Sequence, residues 1–147
     1  MPVSLSGPPL GLRGSRVDAK QFVARARKLL AAIGHRRSEL SIALIGDAEM
    51  AELNGTWRGK PRTTDVLSFS LLEGEAQERR GALLGDVVIS VETAAAQAAA
   101  RHRGLDEELT RLLIHGLLHL IGYDHESDAE ARVMEAEQRR LLRELSR

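Results

Sequence analysis

Between Leu105 and Gly122 the chain places Leu109, Leu112, Leu113, Ile114, Leu117, Leu118, Leu120 and Ile121 with almost no polar side left between them. A helix of this kind is stable only when covered on most faces, so the rest of the chain must supply layers on more than one flank. Asp106 is placed to cap that helix and Gly122 to end it. With 147 residues, 43% hydrophobic and 29% charged, the chain reads as one domain over 1–147 with a real core beneath a soluble surface.

The remaining segments read as mixed strands and helices. Residues 1–16, with Gly7, Pro8, Pro9, Gly11 and Gly14, carry too many backbone breakers for a regular element and read as a flexible arm. Asp18 caps a helix with Phe22, Ala26, Leu29, Leu30 and Ile33 on one stripe, ending at Gly34. Glu39 to Ile45 alternates as a strand, Asp47 to Leu53 is a short helix, and Gly55 to Thr64 is a loop. Strands follow at Val66 to Ser70 and Leu83 to Val91, joined by a connection from Glu73 to Gly81. An Ala-rich helix runs from Thr93 toward His102, and a last helix, Asp128 to Leu145, has an apolar stripe at Met134, Leu141 and Leu145. This order predicts an α/β or α+β fold, without internal repeats or a linker long enough to divide the chain.

Composition excludes several functions. Without cysteine there is no disulfide framework and no thiolate site, so a metal must be held by His, Asp or Glu. Apolar runs stop well short of the roughly 18 residues of a membrane span, and Met1 to Leu12 lacks a signal-peptide pattern, so a soluble cytoplasmic protein without a membrane partner is expected. The 21 basic and 21 acidic residues cancel, which rules out a uniformly basic nucleic-acid binder. The charge is nevertheless uneven: residues 1–40 are net +6 and residues 106–147 net −4, so one face could attract phosphate. The aromatic residues, Phe22, Trp57, Phe69 and Tyr123, are too few for a platform stacking several bases.

The sharpest motif is His115-Gly116-Leu117-Leu118-His119-Leu120-Ile121-Gly122-Tyr123-Asp124-His125. Residues four apart share a helix face, so His115 and His119 can offer two imidazoles to one ion, and a sharp exit at Gly122 can return His125 as a third. A bare histidine pair in an apolar helix is often only hydrogen-bonded to backbone; the third histidine beyond a glycine break favours metal. Three imidazoles and an open position describe a catalytic zinc site with water as fourth ligand. The spacing is that of the long zincin protease motif, but Gly116 stands where the protease general base, a glutamate, belongs, which argues against proteolysis. Glu108, Asp124 and Glu126 are the available substitutes, each equally readable as a cap or loop residue. His35 and His102 lie near helix ends and read as caps or solvated residues.

These residues resemble the YbeY family of metal-dependent endoribonucleases of ribosomal RNA maturation. Beside the histidine segment, extended through Met134 and Glu137, the stretch Leu53-Asn54-Gly55-Thr56-Trp57-Arg58-Gly59-Lys60 with Thr64-Asp65-Val66-Leu67-Ser68-Phe69 is similar to a second family signature. Leu84-Gly85-Asp86-Val87-Val88-Ile89-Ser90 is similar to a third. Trp57 stands where the family usually has Tyr, and Ser70 where it usually has Pro. The resemblance spans about residues 40–145 and leaves residues 1–17 unassigned.

The resemblance implies a small mixed sheet of about four strands over a zincin-like helix. It implies one Zn²⁺ per chain on His115, His119 and His125, and Arg58 as the essential cation of the cleft. A guanidinium can hold two oxygens of a phosphate on which charge develops, and Lys60 and Arg62 could hold flanking phosphates. Thr64 and Asp65 are expected to shape the cleft and not to act in it. The implied function is a zinc-dependent, single-strand-preferring endoribonuclease of ribosomal RNA processing, including small-subunit 3′-end maturation and ribosome quality control. Its implied partners are ribosomal RNA and the small ribosomal subunit, with ribosomal proteins or an assembly GTPase as further candidates. The rivals are a zinc hydrolase of peptide or amide bonds and a non-catalytic ribosome assembly factor with a structural metal.

Overall fold

In a computed structural model, the structure describes residues 3–70 and 83–146. In chain order the elements are β1 (Val3–Ser6), α1 (Ala19–Ala32), β2 (Glu39–Ile45), α2 (Asp47–Arg58), β3 (Val66–Ser70), β4 (Leu83–Ser90), α3 (Val91–Ala100), α4 (Leu105–Leu120) and α5 (Asp128–Leu145). The expected connection Glu73 to Gly81 lies outside the described residues. The sheet order is β1-β2-β4-β3, with β1, β2 and β4 parallel and β3 antiparallel to β4. The mixed four-stranded sheet implied by the resemblance is therefore present.

Its fourth strand lies where a flexible arm was expected. Val3 to Ser6 pair in register with Leu40 to Ala43, and Val3 is buried. The breakers begin only at Gly7, so four residues ahead of them are free to add an edge strand with one ladder of hydrogen bonds. The second correction concerns α2, which runs on to Arg58 where a loop was expected from Gly55. Helix hydrogen bonding carries the chain through Gly55, and Gly59, in the left-handed conformation, ends it.

The sheet has an apolar layer on each face. On one, Leu40, Ile42 and Leu44 of β2 and Val87 and Ile89 of β4 meet α1, α4 and α5 through Phe22, Leu29, Leu113, Leu117 and Met134. On the other, Ile45, Leu67 and Val88 receive Met50 of α2. Leu84 joins the first layer because the β2–β4 register slips between Glu39 and Leu40, opposite Leu83 and Gly85. As expected of α4, Leu109, Leu113, Ile114, Leu117, Leu118 and Leu120 are almost wholly buried, each contributing roughly 1.5–3 kcal/mol. Asp106 does not cap this helix. Gly104 occupies the N-cap without a side-chain bond, and Asp106, Glu107 and Glu108 fill the first turn, where carboxylates favour the helix dipole.

Gly116 lets α4 sit against the sheet. A Cβ there would stand 2.7 Å from Val87 Cγ1, 3.1 Å from Ser68 Oγ and 3.3 Å from Val66 Cγ2. Gly116→Ala is expected to lower stability by about 1–3 kcal/mol by overpacking, against the roughly 1 kcal/mol that alanine's helix propensity would add. Equilibrium denaturant unfolding measures the balance, and a more stable variant would show that α4 can lift from the sheet without penalty.

Candidate metal centre

His115 and His119 lie one turn apart on α4 with their Nε2 atoms 3.2 Å apart. The chain then reverses: the Tyr123 N–H donates to the Leu118 carbonyl at 2.9 Å, the Gly122 N–H to the His119 carbonyl at 3.1 Å, and Gly122 takes φ +104°. This turn returns His125, whose ring centroid lies 5.7 Å from that of His115 and 5.2 Å from that of His119. Asp124 fixes the loop by accepting the His125 backbone N–H at 2.8 Å. One nitrogen from each histidine falls within 4.8 Å of the others, a group that can hold a metal ion.

The donor set fits a tetrahedral ion. Metal–nitrogen bonds of about 2.0–2.1 Å separate ligand atoms by roughly 3.3 Å, close to the Nε2–Nε2 distance. Burial, followed by the neighbouring His119 and His125, pushes the His115 pKa down, with Asp65 opposing. Burial and His125 likewise lower that of His119, with Asp124 opposing. Both rings are therefore biased toward the neutral form that ligates. The side-chain Nε2 of Gln138 on α5 lies 3.0 Å from Nδ1 of His115. When Nε2 of His115 is the ligating atom, Nδ1 carries the proton and the Gln138 amide oxygen is its acceptor, an arrangement one amide turn away.

The histidines open onto a cleft of about 1200 Å³ lined also by Trp57, Arg58, Lys60, Arg62, Asp65 and Phe69. Arg58 ends α2, its Nη2 donating to the Ser68 carbonyl at 2.7 Å and its guanidinium carbon lying 5.3 Å from the Phe69 ring centroid. The Ser68 hydroxyl donates to the Gly116 carbonyl at 2.9 Å, so one residue of β3 ties Arg58 to the histidine helix. One N–H of five is used at Ser68, which leaves donors for the cleft. Buried Asn54 donates to the Arg62 carbonyl at 2.9 Å and holds the turn that carries Lys60 and Arg62. Asp47 accepts hydroxyls from Thr63, Ser90 and Thr93. Desolvation works to raise its pKa, and these hydrogen bonds together hold it below the ordinary carboxylate value.

Asp65 shapes the cleft as expected, accepting from the Val66 N–H at 2.8 Å and from Gln97 at 3.2 Å. Glu108 does not reach the reaction space as a free base. It is 1% exposed and paired with Arg101 at 2.9 Å and Arg103 at 3.5 Å. Glu126 is exposed and outside the cleft lining. His35 meets Ser38 at 3.2 Å and exposed His102 ends α3 with φ +54°, both apart from the triad. The cations that line the cleft come from Arg58 to Arg62, whereas the N-terminal basic excess lies largely on and around α1.

Helix-borne histidines, a third on the returning loop and an adjoining cationic cleft define a small α/β protein with a zincin-like candidate metal centre. The chain belongs to the family described as Endoribonuclease YbeY, whose model matches residues 13–146. It is 49% identical over 128 residues to the Endoribonuclease YbeY of Anaeromyxobacter sp. (strain Fw109-5), covering 87% of this chain and 65% of that one. It is 36% identical over 135 residues to the Bartonella henselae protein of that name, covering 88% and 85%. A Thermotoga maritima protein solved in solution superposes with a TM-score of 0.66 at 27% identity, covering 97% of this chain and 87% of that one. The chain spans less than two thirds of the length of its Anaeromyxobacter relatives, 65% and 63%. No helix among the described residues is long and apolar enough to cross a membrane.

Proposed function

We propose that the chain is a zinc-dependent endoribonuclease that prefers single strands and acts in ribosomal RNA processing, including small-subunit 3′-end maturation and ribosome quality control. The observation that carries the reading is the placement of Arg58 in the same cleft as the three histidines, with Lys60 and Arg62 beside it. Relatives named Endoribonuclease YbeY support the reaction class. The all-imidazole donor set supports zinc, held by His115, His119 and His125. A bound zinc supplies Lewis acidity toward a phosphoryl oxygen or an attacking hydroxyl. Arg58 holds the nonbridging oxygens of the scissile phosphate, and Lys60 and Arg62 fix the strand through neighbouring phosphates. Gln138 and Asp124 orient the histidines. The proposed partners are ribosomal RNA in the small subunit, with ribosomal proteins or an assembly GTPase delivering the substrate.

The test is cleavage of a labelled single-stranded RNA by zinc-loaded protein beside its His115→Ala variant. Wild type is expected to give discrete products and to act more slowly on the duplex of the same sequence, with His115→Ala inactive. Binding should weaken with salt at a log–log slope of about −2, from three phosphate contacts at roughly 0.7 each. Equal cleavage by both proteins would remove the histidines from the reaction. Chelator-sensitive peptide hydrolysis would favour the rival enzyme, and ribosome binding without cleavage would favour the assembly factor.

A further inference from the structure

Four aromatic residues are too few for a platform stacking several bases, but the fold gathers three of them in one place. Phe22 is 2% exposed in the core, whereas Trp57, Phe69 and Tyr123 all line the cleft. Trp57 is 66% exposed at the last turn of α2, next to Arg58. Its indole meets the Phe69 ring edge-on, with centroids 6.3 Å apart and planes at 70°. Phe69 is also the ring beside the Arg58 guanidinium, so it braces cation and indole together. An indole left this open contributes little to folding, and this one lines the cationic cleft, where its ring can meet a ligand.

We propose that Trp57 is the stacking platform for one unpaired nucleobase of the RNA strand whose phosphate Arg58 holds. The inference rests on the endoribonuclease reading above and adds a subsite to it. The neighbouring cations Arg58, Lys60 and Arg62 favour a polyanion over a protein as occupant. A π-face accepts any base, so the subsite recognises single-strandedness and little sequence. In an A-form duplex the base faces are already stacked on their neighbours, and the indole has no face to receive. This gives the single-strand preference a physical source.

Trp57 is the only tryptophan of the chain, so its fluorescence reports the subsite directly. The zinc-loaded protein is titrated with a 2′-O-methyl adenosine hexamer and with an abasic strand of the same phosphate count. The hexamer is expected to quench the indole and the abasic strand to leave it bright. Trp57→Ala should weaken hexamer binding, measured by anisotropy, roughly 5- to 150-fold, the equivalent of about 1–3 kcal/mol for one stacked base. Trp57→Phe should recover most of that, abasic-strand binding should be indifferent to both changes, and thermal unfolding should move little. Unchanged hexamer affinity in Trp57→Ala, or equal quenching by both strands, would overturn the subsite. If that variant also cleaves single-stranded RNA as wild type does, the nuclease reading stands without the subsite. Hexamer affinity retained while association with ribosomal subunits is lost would also overturn it, making Trp57 a protein-docking residue. If wild type neither binds nor cleaves RNA, the nuclease reading itself falls with it.

Discussion

His119→Ala is expected to lose most of its metal, with zinc affinity at least about 100-fold below wild type, the upper range for loss of an orienting group alone. The reasoning is geometric: the His119 ring lies 4.7 Å from that of His115 and 5.2 Å from that of His125, nearer to each than those two are to one another at 5.7 Å. Gln138→Leu should show the lesser effect, about 10- to 100-fold, because it leaves all three imidazoles and removes only the amide that faces His115 Nδ1. Gln138→Glu should restore affinity, since a carboxylate accepts the same proton. Competition with a chromophoric chelator measures all four proteins, and elemental analysis of protein purified without chelator checks identity and stoichiometry, expected at one zinc per chain. Wild-type affinity in a folded His119→Ala protein would refute the three-histidine site.

Arg58→Ala is expected to cut RNA cleavage by about 10²-fold or more, as for removal of one donor from a site of developing negative charge. The fold should survive, because Arg58 is exposed and the lost bond to Ser68 is worth about 0.5–1.5 kcal/mol. Zinc content should be unchanged, since no histidine contacts this side chain through a hydrogen bond among the described residues. Arg58→Lys should recover only part of the rate, for an ammonium keeps the charge but not the planar fork. Rate, zinc content and unfolding measured side by side separate the roles. A folded, zinc-loaded Arg58→Ala protein cleaving at the wild-type rate would take Arg58 out of the reaction.

Local signals made much of this architecture legible. The 3.6-residue periodicity marks α5 from Asp128 to Leu145 and alternation marks β2 from Glu39 to Ile45, both as expected, while the Ser127 capping box that starts α5 was a local signal left unread. The histidine triad was legible because its members are close in sequence and the turn at Gly122 is itself a sequence signal. What local reasoning missed depends on partners distant in the chain. β1 is a strand because β2 offers it an edge, and Arg58 is helical because α2 packs on the sheet through Met50. Gln138 meets a histidine 23 residues away, yet it left a trace: it falls on the stripe between Met134 and Leu141, a polar residue at an apolar position. Asn54 is similar, buried at 4% in a helix otherwise anchored by Met50.

The seat of Gly116 against Val87, Ser68 and Val66 has a historical implication. Proteases with the same histidine spacing carry their glutamate at this position, so the two chemistries look one substitution apart in alphabet. In space they are not neighbours. A side chain at 116 would press first on Val87 of β4 and then on Ser68 and Val66 of β3, and Ser68 is the residue whose carbonyl accepts from Arg58. A substitution that put a proton acceptor at 116 would therefore disturb the residue that holds Arg58 in the cleft. The obstacle to that exchange is made of interior contacts between α4 and the sheet, which any side chain at 116 would crowd.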